Sequence, residues 1–275
     1  MTTYTITTLR IGELMVPQGG TIVRDPIHCW LVRGGGATIL VDSGMVDAET
    51  LRHRLKVEGI GGGHAPLIEG LAREGLEPAD VDYVVLSHLH FDHAQNLDLF
   101  PDACVVVQRD ELFHAIEPTP TQRIYYFRET ITELLGRKRP AKLRLVDGDV
   151  DFLDGITLLK TPGHTPAMQV PIITTAKGKV ALVTDLGDHY RYWFPDDPRA
   201  SDKPMRFMAG ALLPSSIRSE SERDFTASMR RVLSHADIVV PAHDFRIPRQ
   251  MPDEWFACPE STSGDLAHAP MEASR

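Results

Sequence analysis

Residues 88–93 read HLHFDH, so three imidazoles and one carboxylate fall within six positions. They follow the apolar run Val84-Val85-Leu86, which is typical of a buried strand. Imidazole nitrogen and carboxylate oxygen together suit zinc and its first-row neighbours. The lack of a nearby Cys argues against a sulfur-rich structural site. Ordinary loop histidines are the alternative, but ionisable groups crowded behind a buried strand repel each other and need compensation. The stretch therefore predicts a catalytic-type metal site that takes further ligands from elsewhere in the chain.

The length of 275 residues allows one large domain or two small ones. We predict a single metallo-hydrolase domain over residues 1–258 and a polar C-terminal tail over residues 259–275. No apolar stretch is long enough to span a bilayer, and the first residues lack the basic opening and the long apolar run of a signal peptide. These features predict a cytoplasmic protein that has no membrane partner.

The cysteines and the net charge bear on compartment and partners. Cys29, Cys104 and Cys258 are odd in number and have no CxxC spacing, which favours free thiols in a reducing compartment. The net charge of −9 produces a field that repels polyanions, so nucleic acid is a disfavoured partner. We expect a small-molecule substrate instead. The sequence leaves open whether the chain forms a homodimer.

Apolar runs and turn residues predict a β-rich opening, with strands over Tyr4–Leu9, His28–Val32 and Ala37–Val41. Further predicted strands each end at a polar residue that could bind a metal: Val81–Leu86 before His88, Ile156–Leu159 before His164, Val180–Thr184 before Asp185, and Asp237–Val240 before His243. Because loops at one edge of a layered sheet structure carry chemistry, we expect these side chains to converge there. The Pro- and Asp-rich segment from Asp188 to Pro214 has no clear period and is predicted to be a loop or lid.

Four motifs in this order resemble those of the metallo-β-lactamase-fold hydrolases: HLHFDH at 88–93, TPGH at 161–164, Asp185, and PAHD at 241–244. The match covers nearly the whole chain. It is most similar to the N-acyl homoserine lactonase and pyridoxolactonase group, because residues 82–87, DYVVLS, lead into the histidine cluster as they do there. The resemblance implies an α/β fold, a four-layered αβ/βα sandwich, with a two-metal site at one end of its sheets.

The resemblance also implies the ligands of two divalent ions, for which zinc is the expected metal. One ion would be held by His88, His90 and His164, the other by Asp92, His93 and His243, and Asp185 would bridge both. Asp92 and Asp185 are the expected catalytic residues. Asp42 corresponds to an aspartate that supports the ligands from behind. Two such ions lower the pKa of the water between them, so that a bridging hydroxide can attack a carbonyl group that one ion polarises.

The leading functional prediction is a metal-dependent hydrolase that opens a lactone or a related cyclic or activated acyl bond of a small molecule. The proton for the leaving alkoxide would come from Asp185 or metal-bound water. A thioester hydrolase of the glyoxalase II type is the main alternative, but it needs a basic cluster that is not obvious in the sequence. A phosphodiesterase or nuclease would use the same ligands, but the acidic charge disfavours it. A non-catalytic, metal-stabilised binding module remains a further alternative, which would close the coordination of both ions.

The sequence departs from the lactonase pattern around the predicted substrate site. Asp188 stands where these enzymes often have a tyrosine that contacts the substrate carbonyl, so Tyr190 or Tyr192 is a candidate replacement. We predict that aromatic side chains from this segment form an apolar wall over the metals, with Tyr190, Tyr192, Trp193 and Phe207 as substrate residues. Such a wall favours a lactone with an aromatic or alkyl substituent. It does not identify which lactone is opened.

Overall fold

The structure, a computed structural model, describes residues 1–18, 20–138, 140–215, 217 and 219–249. The predicted tail, the last nine residues of the predicted domain and Cys258 lie outside the described residues. None of the helices in the described part of the chain combines the length and apolarity that a membrane crossing requires.

Two β-sheets form the centre of the fold. The first has seven strands in the order β4-β1-β2-β3-β5-β6-β7. Its strands are β1 Thr5–Gln18, β2 Thr21–Gly34, β3 Ala37–Val41, β4 Glu58–Gly61, β5 Tyr83–Val85, β6 Cys104–Gln108 and β7 Leu143–Val146. The second has five strands in the order β12-β11-β10-β9-β8. Its strands are β8 Val150–Leu153, β9 Ile156–Lys160, β10 Gln169–Thr175, β11 Gly178–Thr184 and β12 Ile238–Pro241.

Helices cover the outer face of each sheet. They are α1 Ala48–Leu55, α2 His64–Ala72, α3 Arg109–Ile116, α4 Arg128–Gly136, α5 Tyr190–Trp193 and α6 Glu222–Leu233. Short 3-10 turns occur at Pro78–Asp80, Leu97–Leu99, Arg123–Tyr125 and Arg206–Met208. Ser221 is the N-cap of α6, and its hydroxyl accepts from the N–H of Asp224 and so satisfies one of the open donors of the first turn.

Side chains that alternate along the strands separate the apolar interior into layers. Leu40 packs with the helices α1 to α4, whereas its neighbours Ile39 and Val41 pack between the two sheets. In the second sheet Val240 faces the first sheet and Val239 packs with Phe225 of α6. Since successive strand residues point to opposite faces, each sheet buries both faces. The four layers, helices, sheet, sheet and helices, confirm the predicted αβ/βα sandwich.

The first two strands are longer than predicted. β1 and β2 pair as an antiparallel hairpin of 14 residues each, whereas only Tyr4–Leu9 and His28–Val32 were expected. The reason is that residues 21–25 of β2 are exposed or half-buried. The outer half of the hairpin therefore lacks the alternation of apolar and polar residues from which a strand is predicted. The segment from Asp188 to Pro214 is not only loop, because it contains α5 and the turn at Arg206–Met208.

Parallel strand pairing gathers the loops that bear the predicted ligands. β3, β5, β6 and β7 run parallel in the first sheet, as do β11 and β12 in the second. Ligand-bearing loops follow the carboxyl ends of β5, β9, β11 and β12. The two sheets therefore deliver their polar side chains to one shared edge.

Candidate metal centre

The structure brings the predicted metal ligands together in two adjacent groups. The first group is His88, His90 and His164, and the second is Asp92, His93, Asp185 and His243. Within each group the potential ligand atoms lie within 4.8 Å of one another, and all seven residues are buried. The arrangement matches the division into two ions that the resemblance implied.

Asp185 lies between the two groups and presents one carboxylate oxygen to each. Its Oδ2 lies 3.3 Å from Nε2 of His164, in the first group. Its Oδ1 lies 3.1 Å from Nε2 of His93 and 3.2 Å from Nε2 of His243, in the second. The preceding residue, Thr184, has a φ of 47°, which is unusual for a β-branched side chain and redirects the chain at the end of β11.

The buried polar atoms of the two groups fit metal ions. Nε2 of His88, His90 and His93 and Oδ1 of Asp185 are buried and have no hydrogen-bond partner among the described residues. An unsatisfied buried polar atom costs about 1–3 kcal/mol, and here four such atoms point into one small region. Coordination of cations would satisfy all of them. Imidazole and carboxylate donors without thiolate suit zinc and other first-row divalent ions.

Asp42 supports the histidine cluster from behind. It follows β3 with a φ of 58°, and its Oδ2 accepts a hydrogen bond from Nδ1 of His93 at 2.8 Å. The same carboxylate accepts from the backbone N–H of Ser87 at 2.7 Å and from its hydroxyl at 2.9 Å. The hydroxyl oxygen of Ser87 can then accept from Nδ1 of His88, 3.0 Å away. A proton fixed on Nδ1 leaves Nε2 of both histidines free to bind a cation.

Backbone carbonyl groups fix two more of these imidazoles in the same way. Nδ1 of His164 donates to the carbonyl of Ile217 at 2.9 Å. Nδ1 of His243 donates to the carbonyl of Pro26 at 3.0 Å, so the first sheet orients a residue that the second sheet carries. Nε2 of His164 lies 2.9 Å from Nδ1 of His90.

Burial and the neighbouring charges strongly shift the pKa values of the histidines in the site. Burial lowers the pKa of His88 and His90 well below the usual value. Burial also opposes protonation of His243, but the carboxylates of Asp185 and Asp92 outweigh it and raise its pKa to about 10. The site therefore contains both neutral imidazoles and imidazoles that hold a proton when no cation competes for them.

Glu111 of α3 connects the two ligand loops and was missed by the sequence analysis. It is fully buried and accepts from the backbone N–H of Leu89 at 3.1 Å, between the first two histidines. It also accepts from the hydroxyl of Thr165 at 2.7 Å, next to His164, and from that of Tyr126 at 3.0 Å. The only signal in the sequence is its position beside Leu112 on a helix, which reads equally well as a solvent-facing residue.

A cavity of about 370 Å³ opens onto the two ligand groups. Its apolar lining includes Leu14, Val16 and Val23 of the β1–β2 hairpin, Leu55 at the end of α1, and Val57. Its charged and polar lining includes Asp25, Asp188, His189 and Arg191. A small-molecule site typically combines such an apolar surface with a few polar groups.

The prediction of an aromatic wall over the metals is wrong for three of its four residues. Of its four residues, only Tyr192 lines the cavity. Tyr190 is fully buried between the sheets, and Trp193 is buried against α6, where its indole N–H donates to the carbonyl of Gly187 at 2.8 Å. Phe207 is 84% exposed. Tyr190 and Trp193 of α5 point into the protein, so the apolar lining comes instead from other residues, which include Leu14, Val16 and Val23 of the hairpin.

The same motifs and geometry place the chain among known proteins. Residues 22–244 match the profile of the metallo-beta-lactamase superfamily. The chain belongs to this superfamily. The four-layered sandwich and the two groups of His and Asp at the carboxyl ends of its strands are thus properties of a metallo-beta-lactamase superfamily member.

Several curated proteins of this superfamily are similar to the chain. An N-acyl homoserine lactonase from Bacillus cereus is 30% identical over 186 residues, which cover 65% of this chain and 70% of that protein. N-acyl homoserine lactonase AiiA from Bacillus thuringiensis subsp. kurstaki is 32% identical over 189 residues, with the same coverage. N-acyl homoserine lactonase AttM from Rhizobium radiobacter is 28% identical over 189 residues, which cover 64% of this chain and 70% of that protein.

Solved structures agree on the fold of this superfamily member. An N-acyl homoserine lactone hydrolase with the product N-hexanoyl-L-homoserine bound at its metal centre superposes with a TM-score of 0.66 at 24% identity. The match covers 89% of this chain and 95% of that chain. AidC, a dizinc quorum-quenching lactonase, superposes with a TM-score of 0.60 at 20% identity, covering 87% of this chain and 86% of its own.

Proposed function

We propose that the protein is a binuclear metal-dependent hydrolase that opens a lactone or a related activated acyl bond of a small molecule. The observation that carries the proposal is the position of Asp185, whose two carboxylate oxygens face two separate groups of buried ligands. Similarity to N-acyl homoserine lactonases supports the lactone as substrate class. We propose Zn²⁺ as the metal, since the donors suit it and AidC is a dizinc enzyme.

In this proposal the seven ligands have distinct tasks. His88, His90 and His164 would hold one ion, Asp92, His93 and His243 the other, and Asp185 would bind both. When bound, the ions supply a nucleophilic hydroxide near neutral pH and polarise the scissile carbonyl. Asp42 and Ser87 hold His93 and His88 in the tautomer that binds metal.

The cavity supports a substrate with an apolar substituent. Val16, Val23 and Leu55 offer an apolar surface beside the ligands, and Phe91 stacks on Phe127 beneath them. Such a surface would bury an alkyl or aromatic group at about 25 cal/mol per Å². We therefore propose that a lactone with an apolar side chain binds better than an unsubstituted one.

Two arginines that line the cavity are a reason to test the thioester alternative as well. No basic cluster is obvious in the sequence, but Arg54 and Arg191 both line the cavity. Arg54 is paired with Glu129 at 2.8 Å, and Arg191 donates to the hydroxyl of Tyr192 at 3.2 Å. They are cations that an anionic thioester substrate could use.

The test is a substrate screen on the purified, zinc-loaded protein. We expect hydrolysis of γ-lactones with alkyl side chains, with kcat/KM rising as the chain lengthens. An N-acyl homoserine lactone series, a glutathione thioester and a phosphodiester would be compared at equal metal content. Faster turnover of the thioester would favour the glyoxalase type of function. Faster turnover of the phosphodiester, or no lactone hydrolysis at all, would refute the proposal.

A further inference from the structure

His189 lies in the wall of the cavity between two carboxylates. Its Nε2 is 3.5 Å from Oδ1 of Asp25 and its Nδ1 is 3.3 Å from Oδ1 of Asp188. All three residues line the cavity that holds the metal ligands. The imidazole is 15% exposed, and its Nδ1 and both of these carboxylate oxygens are buried without a hydrogen-bond partner among the described residues. The metal centre uses none of them.

Backbone contacts fix His189 beside one of the proposed metal ligands. The N–H of His243 donates to the carbonyl of Asp188 at 2.9 Å, and the N–H of Tyr190 donates to Oδ2 of Asp244 at 3.1 Å. The residues before and after His189 are therefore both bound to the loop after β12. Asp25 precedes Pro26, whose carbonyl accepts from His243. The imidazole and both carboxylates are thus positioned with respect to His243 by separate contacts.

The charges around His189 favour its protonated form. The groups that face it are Asp25 from β2, Asp188 from the loop after β11, and Arg191 and Tyr192 from α5. His243, from the loop after β12, acts on Asp25. Burial opposes protonation, but the two aspartates outweigh burial and Arg191 and raise the pKa of His189 to about 9. At neutral pH the cavity therefore contains an imidazolium beside the ligand groups. Its proton can be replaced from solvent through the open side of the cavity.

We propose that His189 is the proton donor to the leaving oxygen during ring opening. This inference rests on the proposed lactone hydrolysis. Hydroxide oxygen forms a bond to the carbonyl carbon, and the ring C–O bond then breaks with its electron pair left on the alkoxide oxygen. That oxygen takes the proton from Nε2 of His189, because Nδ1 is buried beside Asp188. The carboxylic acid formed by hydroxide attack loses its proton to solvent, solvent returns a proton to the neutral imidazole, and the product is a hydroxy acid carboxylate.

This role differs from the expected protonation by Asp185. Both oxygens of Asp185 face the ligand groups, so its carboxylate is committed to charge compensation there. An alkoxide is a poor leaving group, and a positioned general acid typically contributes about 10²–10⁴-fold to such a step. A phenolate leaves without protonation. The nature of the leaving group therefore separates a proton donor from a residue that only shapes the cavity.

The first test compares two substrates in His189→Gln. With an alkyl γ-lactone we expect kcat to fall by ~100-fold. With an aryl ester of the same acyl group we expect a fall of less than ~3-fold, because phenolate needs no acid. His64→Gln is the matched control, since His64 also pairs with an aspartate, Asp98, but on the exposed surface at 3.1 Å. Equal losses on both substrates, or no loss on the lactone, would overturn the inference.

A second test needs no variant. In the wild-type protein, kcat for the alkyl lactone should fall with rising pH as His189 loses its proton, while kcat for the aryl ester should not. Nitrogen-15 NMR of the histidine side chains in the zinc-loaded protein should show an imidazolium at neutral pH that is absent from His189→Gln. Parallel pH profiles for both substrates would contradict the inference. A wild-type protein that hydrolyses no lactone would instead refute the proposed function, so the two failures are distinct.

Discussion

Asp185 directs one carboxylate oxygen toward each of two ligand groups, which few other side chains could do. An amide in its place keeps one oxygen but loses the negative charge between two cations. We predict that Asp185→Asn lowers kcat by at least about 100-fold, or ~2.7 kcal/mol of transition-state stabilisation. Steady-state kinetics at saturating metal, with Asp98→Asn as an exposed control, measures this. Near-normal turnover would show that Asp185 is not shared between the ions.

His243 and His93 give metal binding a pH dependence. In the metal-free protein Asp185 and Asp92 overcome burial and raise the pKa of His243 to about 10, and the same carboxylates raise that of His93. A cation needs the imidazole lone pair, so it must displace these protons. We predict that loading at pH 7 releases about two protons and that affinity rises with pH up to about 10. Calorimetry in buffers of different ionisation enthalpy tests this, and pH-independent affinity would contradict it.

The individual ligands could be predicted from the sequence because each follows a short apolar strand within a recognisable motif. The residues that hydrogen-bond to these ligands and to their loops were harder to predict. Asp42 was predicted through the family resemblance, but the contact of Ser87 with His88 and the contacts of Glu111 were not. Trp193 shows the opposite error, because an aromatic residue close to a ligand in sequence can point into the core.

The helix α3 supplies a contact that holds two ligand loops at a fixed distance. A glutamine at position 111 has one acceptor oxygen instead of two and no negative charge, so it would replace three charge-assisted hydrogen bonds by fewer or weaker ones. We predict that Glu111→Gln lowers the free energy of unfolding by about 1–3 kcal/mol. We also expect weaker metal binding at the group that contains His164.

Denaturant unfolding and metal titration test this prediction. Glu69→Gln is the control, because Glu69 lies on the exposed face of α2 in a pair with Arg73. If both variants behaved alike, Glu111 would not connect the loops. The two readouts also separate a general loss of stability from a local change at one ion.

Among the elements, short buried strands such as Ala37–Val41 could be predicted because their apolar runs coincide with the sheet. The strand Glu58–Gly61 could not, since it lies at a sheet edge, is largely exposed and contains two glycines. The same applies to the outer half of the β1–β2 hairpin. Where a strand leaves the core, the alternation that identifies it disappears.

At the scale of the whole molecule, the proposed metal ligands come from both sheets. Four follow β5 of the first sheet, and three follow β9, β11 and β12 of the second. Bound ions would therefore link the two layers across the interior. This arrangement agrees with the proposal that residues 1–258 form a single domain, because neither sheet holds a complete site.

Removal of the metal should therefore lower the stability of the entire fold. A ligand at about 1,000 times its Kd stabilises a protein by ~4 kcal/mol, and each kcal/mol shifts Tm by about 2–4 °C at this size. We predict that a chelator lowers Tm by on the order of 10 °C in one cooperative transition. Differential scanning calorimetry measures it. Two separate transitions, with only one of them sensitive to metal, would contradict the shared site.

Part of the apolar lining of the cavity lies on a different stretch of the chain from the proposed metal ligands, and this separation has an evolutionary consequence. The hairpin residues Val16 and Val23 contact the cavity but carry no metal ligand, and the same is true of Val57 after α1. Mutations there can change which acyl chain fits while the hydrolytic machinery is left untouched. Insertions next to Gly20 and Thr21, which are exposed at the start of β2, are also tolerated more easily than changes in the core. New substrate ranges can therefore arise by drift in one hairpin, and exchanging that hairpin between homologues is a direct route to altered specificity.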